Sequence, residues 1–286
     1  MKARADAVIA AAGPAQSGNK AWWTRHTMSY DWKDPVRREP FTLGWFDEID
    51  ARFIEAARHF AHGDRPFGRI IPFEAIAGKR VLEVGCGMGL HTELMARAGA
   101  QVTAIDISPK SVAATQARLA LKGVAAEVRE GDAELLDAPE AYDFIWSWGV
   151  IHHSSRTGRV LRNLHAALTP GGQLRFMVYS LDGAQAYTVM MRRYVLGFWT
   201  GRSLDELLWE STDGFLARYF TKDALADLCR TFFDDVELQV FGQESDALPL
   251  PSALRRLVRP LVSDRYIAQA IRRRGTFLFA TATKQS

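Results

Sequence analysis

The stretch Val81-Leu-Glu-Val-Gly-Cys-Gly-Met-Gly89 constrains this chain more than any other feature. Four strand-forming residues run into three glycines at alternating positions, and Leu90-His-Thr-Glu-Leu-Met-Ala-Arg97 then reads as a helix. A strand, a glycine turn and a helix in that order build the ligand crevice of an open α/β sheet, because residues without a Cβ let backbone N–H groups come close to a ligand. The stretch predicts a nucleotide-like cofactor at the carboxyl end of a first strand.

From Arg80 onward the pattern alternates strand and helix. Strands are predicted at Val81–Val84, Gln101–Ile105, Ala126–Arg129, Tyr142–Trp146, Gln173–Tyr179, Val236–Phe241 and Thr276–Thr283. The intervening helices end near Ala98, Leu121, Leu168 and Thr231, the last opened by Thr221 as an N-cap. Such alternation implies a mostly parallel seven-stranded sheet with helices on both faces and a ligand site at the strands' carboxyl ends.

The 286 residues, 48% hydrophobic and 24% charged, suffice for one large α/β domain with insertions. Residues 1–20 are Ala/Gly-rich and are expected to be poorly ordered. Residues 21–70 form an aromatic cap containing a helix from Phe46 to Phe60, and residues 71–286 form the main domain. Helical insertions, rich in aromatics at 181–219 and in arginine at 242–275, interrupt that domain as lids.

Cys86 and Cys229 make neither a disulfide framework nor a metal-ligand spacing, so a reducing compartment is expected. The absence of an 18-residue apolar run argues against a membrane span, and the first residues read as a frayed terminus of a cytoplasmic protein.

Two cofactor classes use such a turn. The dinucleotide fingerprint places a small residue third, G-x-G-x-x-G/A, where this chain has Leu90. Asp106 closes the second strand, where a carboxylate can accept both hydroxyls of a ribose in either class.

With these residues in view, the chain resembles the class I S-adenosylmethionine-dependent methyltransferases, in particular their small-molecule, quinone-pathway and natural-product group. Five motifs match in order: the glycine turn, Ala104-Ile-Asp-Ile-Ser-Pro109, Gly131-Asp-Ala-Glu134, Tyr142-Asp-Phe-Ile-Trp-Ser-Trp-Gly-Val-Ile-His-His153 and Leu168-Thr-Pro-Gly-Gly172. The resemblance implies a Rossmann-like methyltransferase fold and methyl transfer from S-adenosylmethionine, yielding S-adenosylhomocysteine, to an O or N atom of a small-molecule acceptor.

By the same resemblance, Gly85, Cys86, Gly87 and Gly89 pass under the methionine part, with Cys86 as a small packing residue and Glu83 near the amino group. Asp106 holds the ribose and Ile107 covers an adenine face. Asp132, Ala133 and Glu134 form the adenine-binding turn, and Ser147 and Trp148 line the sulfonium end. Trp148, Tyr30 and Trp32 either face the cationic donor or pack beneath the cap.

His152 and His153 follow the fourth strand. Either is a candidate general base or a structural anchor, with His153 matching the single His common in the family. A metal site is not expected, because adjacent His on an extended chain point apart and no third ligand sits at the right spacing.

Three rival readings remain: an NAD(P)-binding oxidoreductase, a non-catalytic cofactor-binding protein, and a nucleic-acid methyltransferase. Leu90 opposes the first. The third lacks the Asn/Asp-Pro-Pro-aromatic signature after strand four. The net charge of +3 divides into +7 from Leu254 onward and −4 elsewhere, so no broad basic face is expected on the body. Within 254–274, Leu254, Leu257 and Val258 share one helical face and Ile267, Ala270 and Ile271 another. This basic amphipathic segment either docks on the sheet edge or a dimer partner, or meets an anionic partner.

Overall fold

The computed structural model describes residues 14–29, 35–197 and 201–285. Strands β1 (Arg80–Val84), β2 (Gln101–Asp106), β3 (Glu127–Glu130), β4 (Tyr142–Trp148), β5 (Leu168–Ser180), β7 (Asp235–Phe241) and β8 (Phe277–Thr283) form one open sheet in the order β3-β2-β1-β4-β5-β8-β7. All are parallel up to β5, while β8 runs antiparallel to both β5 and β7. The seven expected strands are joined by an eighth, the two-residue β6 (Tyr219–Phe220), which pairs with the end of β5.

Alternation along the strands divides the core into two layers. Leu82, Ile145, Leu174 and Phe176 face one side, where helices α5 (Thr157–Ala167) and α8 (Lys222–Arg230) cover them; Val81, Phe144, Trp146 and Met177 face the other. Helix α4 (Pro109–Lys122) starts where Ser108 caps Ser111 N–H and Pro109 takes the first position, and it stops at Gly123 in the left-handed region.

The N-terminal segment differs from expectation. Residues 14–20 belong to helix α1 (Pro14–Arg25), and a second helix, α2 (Leu43–Ala56), begins three residues before Phe46 and gives way to a 3-10 turn at Arg58–Phe60. Residues 1–13, Tyr30 and Trp32 lie outside the described residues. Composition misleads at α1 because its buried side chains are polar, Gln16 and Asn19, and they are held by hydrogen bonds rather than by an apolar stripe.

Helix α2 is tied to the domain by charge. Arg118 of α4 is fully buried and donates to both oxygens of Asp50 in α2, at 2.8 and 2.6 Å, and to Glu93 of α3 (Leu90–Arg97) at 2.7 Å. The guanidinium's fork matches two carboxylates at once, so three helices converge on one cation.

Candidate active site

At the carboxyl ends of β1, β2, β4 and β5 lies a cavity of about 420 Å³. That is ample for a nucleoside-sized ligand. Its floor is the glycine turn, with Gly85, Cys86 and Gly87 on the wall. Gly87 has φ +52°, and a Cβ there would meet no protein atom within 4 Å, so its backbone faces open space that a ligand can approach. Gly89 is set back from the cavity. It caps α3 in the left-handed region at φ +82°, and a Cβ would press to 2.9 Å from Thr115 of α4, so this glycine serves helix packing.

Asp106 ends β2 with its Oδ2 accepting Gly87 N–H at 3.0 Å and its Oδ1 accepting Ser108 N–H at 2.8 Å. The Ser111 side chain also bonds this carboxylate, and the acceptor capacity left over is open to ligand hydroxyls. Burial pushes its pKa up to about 6, against the pull of these two N–H groups. Ile107, Asp132 and Ala133 line the same wall. Asp132 Oδ1 accepts from Gln16 Nε2 and from Glu134 N–H, both at 2.9 Å, leaving Oδ2 unengaged by any described residue.

Three expected cofactor residues are turned away from the cavity. Glu134 accepts at one oxygen from Ser154 Oγ, Ser155 Oγ and Arg156 N–H, so it braces the loop after β4. Ser147 donates to the Val84 carbonyl at 3.2 Å and stitches β4 to β1. Glu83 lies beneath the turn and accepts from Thr92 Oγ1; burial raises its carboxyl to about 8, which makes it neutral at pH 7. Glu83 and Ser147 follow their strands' alternation into the protein and Glu134 is turned aside within a 3-10 turn, details that motif spacing does not carry.

Trp148 does line the cavity, with Phe60 edge-on at 5.0 Å and Trp146 stacked behind it. The histidine pair occupies a 3-10 turn, Ile151–His153, with ring centroids 4.1 Å apart. The extended-chain expectation thus fails for these two rings, although their roles diverge. His153 lines the cavity. Its Nδ1 lies 2.6 Å from the Leu216 carbonyl, which can only accept, so Nδ1 carries the proton and Nε2 the lone pair. Burial lowers its pKa to about 4. His152 is fully buried against Tyr179, with burial and then His153 driving its pKa well below the usual range.

Several wall residues carry no sequence signal. Gln16, Asn19 and Trp23 reach the cavity from α1; Asn19 donates to the His153 carbonyl at 2.6 Å and Trp23 meets the His153 ring edge-on at 5.0 Å. Gln185 and Asp213 enter from the first insertion, and Gln243 from the second.

An open sheet of this order, with a glycine turn and acids closing β2 and following β3 around one cavity, defines the class I S-adenosylmethionine-dependent methyltransferase fold. A methyltransferase domain family model matches residues 81–172. The ubiquinone biosynthesis O-methyltransferase of Paramagnetospirillum magneticum is 36% identical over 176 residues, 60% of this chain and 67% of that protein. Its counterpart in Stutzerimonas stutzeri is 28% identical over 178 residues, and the match spans just under two thirds, 65%, of that protein's length. The chain belongs to the S-adenosylmethionine-dependent methyltransferase family.

Two solved structures share the fold. An S-adenosylmethionine-dependent methyltransferase of Mesorhizobium loti is 21% identical with a TM-score of 0.50, over 73% of this chain and 92% of its own. The [4+2]-cyclase SpnF is likewise 21% identical with a TM-score of 0.50, over 75% and 79%. One fold thus hosts different chemistry, and the activity has to be argued from the site.

Proposed function

We infer that the protein transfers a methyl group from S-adenosylmethionine to an oxygen or nitrogen atom of a small-molecule acceptor, with His153 as the base. The observation that carries this reading is the convergence of Gly87, Asp106, Asp132 and His153 on one cavity. Asp106 keeps acceptor capacity for the ribose hydroxyls, Asp132 Oδ2 suits the adenine amine, and open space beside Gly87 suits the methionyl part. When bound, the cofactor supplies an electrophilic methyl group on a sulfonium.

What the chain itself contributes is alignment, dryness and a proton acceptor. His153 is neutral at pH 7, and the Leu216 carbonyl holds its protonated nitrogen, so Nε2 can take the acceptor's proton. Helix α1 and the 181–219 insertion cover the cavity and exclude water. The relatives' names carry O-methyl transfer, which favours an oxygen acceptor.

The test is release of S-adenosylhomocysteine over a panel of phenols, catechols and amines, with the methylated atom located by mass spectrometry. Tight cofactor binding without release above background for every acceptor would leave a cofactor-binding module instead.

A further inference from the structure

The second insertion holds two amphipathic elements that face opposite ways. Helix α10 (Asp264–Arg274) buries Ile267, Ala270 and Ile271 in a small cluster with Ala247, Leu248 and Val262, and that stripe docks the insertion. Helix α9 (Ser252–Val258), continued by a 3-10 turn to Leu261, turns its stripe outward. Leu254, Leu257 and Leu261 recur at i, i+3 and i+7 and are 46%, 73% and 85% exposed. A docked helix has no need of such a face, and an exposed leucine stripe on a well-held element marks a contact surface.

The element is firmly held. Arg259 donates to Glu244, Asp264 and the Val262 carbonyl, and Arg58 reaches Glu244 from the N-terminal segment. The remaining cations are spare: among the described residues, Arg256, Arg265, Arg272, Arg273 and Arg274 pair with no carboxylate. All five are exposed.

We propose that α9 and the exposed arginines of the same insertion dock this protein onto an anionic lipid bilayer surface, with Leu254, Leu257 and Leu261 entering the boundary between headgroups and acyl chains. Charge decides the occupant. A two-fold dimer through α9 would bring one strongly basic insertion, Arg256 first, against its own copy, at a cost in like-charge repulsion. Nucleic acid would satisfy the arginines and leave the leucines idle. An anionic bilayer satisfies both, which is how interfacial helices bind.

Full-length protein is sedimented with vesicles of phosphatidylglycerol and phosphatidylcholine, and with phosphatidylcholine alone. The wild type is expected to partition onto the anionic vesicles in a salt-sensitive way and at least roughly tenfold more weakly onto the neutral ones. The triple variant Leu254→Ser/Leu257→Ser/Leu261→Ser is expected to lose about tenfold in partitioning while its melting temperature and S-adenosylhomocysteine affinity stay unchanged. Lack of wild-type binding to anionic vesicles would overturn the proposal. So would a leucine-dependent dimer in sedimentation equilibrium, or RNA binding that survives the leucine changes. None of these readouts depends on turnover, so the proposal and the methyl-transfer reading fail separately.

Discussion

Gln16 of α1 donates to Asp132 at 2.9 Å, across 116 residues of sequence, and so latches the first helix onto the turn after β3. Asn19, one turn on, donates to the carbonyl of His153, placing the same helix over both ends of the cavity. Helix α1 therefore spans the cofactor side and the reacting side. Replacing both residues, Gln16→Ala/Asn19→Ala, is expected to speed S-adenosylhomocysteine release several-fold in stopped-flow fluorescence and to leave the melting temperature almost unmoved. Removing residues 1–26 should abolish turnover while a cooperative melt persists; full activity in the truncated protein would reject the lid.

Asp106 is predicted to make cofactor affinity depend on pH. Its carboxyl titrates near 6 in the folded protein because burial raises it, and the ionised form is the better acceptor for two hydroxyls. Affinity for S-adenosylhomocysteine should be flat above pH 7 and weaken by up to about tenfold per pH unit below 6. Asp106→Asn should bind about ten- to a hundredfold more weakly at pH 7.5 and lose that dependence, since hydrogen bonds to charged groups are worth about 1.5–3 kcal/mol. Calorimetry from pH 5 to 8 reads both effects, and equal affinities for variant and wild type would remove Asp106 from the site.

Glu83 predicts a stability effect of the opposite use. Burial raises its carboxyl from about 4.5 to about 8, so the folded state holds a proton that the unfolded chain has lost. Stability from this group is present at low pH and is lost as pH rises to about 8, at a slope of up to ~1.4 kcal/mol per unit. Up to about pH 7.5 the unfolded chain's histidines still bind protons that the buried, lowered ones do not, and this opposes the Glu83 slope, so the effect is read against a variant. Between pH 6.5 and 8 the melting temperature of the wild type should fall relative to that of Glu83→Gln, and a constant difference between the two curves would remove the effect.

The two histidines should separate. His153→Ala is expected to lower kcat roughly a hundredfold, the usual scale of a general base, with cofactor affinity unchanged. His152→Phe keeps a ring against Tyr179, and kcat should stay within a few-fold. Equal losses in the two variants would assign the turn a structural role.

Arg118→Met should destabilise the fold by about 3–5 kcal/mol, because Asp50 and Glu93 lose their shared cation while staying largely buried. Adding Asp50→Asn and Glu93→Gln should recover part of that loss in thermal melts.

The strands along the chain and the turn after each were legible because glycine, acid and apolar alternation carry them directly, whereas their order in the sheet was not. Gly87, Asp106, Asp132 and Trp148 stand where the motifs put them, on the cavity wall. Glu83 and Ser147 occupy the same motifs yet serve the scaffold, since a one-residue step along a strand reverses a side chain's direction, and Glu134, in a 3-10 turn, is drawn aside by Ser154, Ser155 and Arg156. Helix α1 was invisible for another reason. Its stability comes from long-range polar bonds, and local propensity in Pro14–Arg25 holds no trace of them.

The position of β8 bears on how the chain is made. Strand β8 lies between β5 and β7, hydrogen-bonded to both, although it follows both in sequence. As the nascent polypeptide leaves the ribosome, β7 emerges with no neighbour to pair with and β5 shows an open apolar edge until β8 follows. The sheet cannot close strand by strand in the order of synthesis, and the interval before β8 inserts is when a chaperone has most to shield.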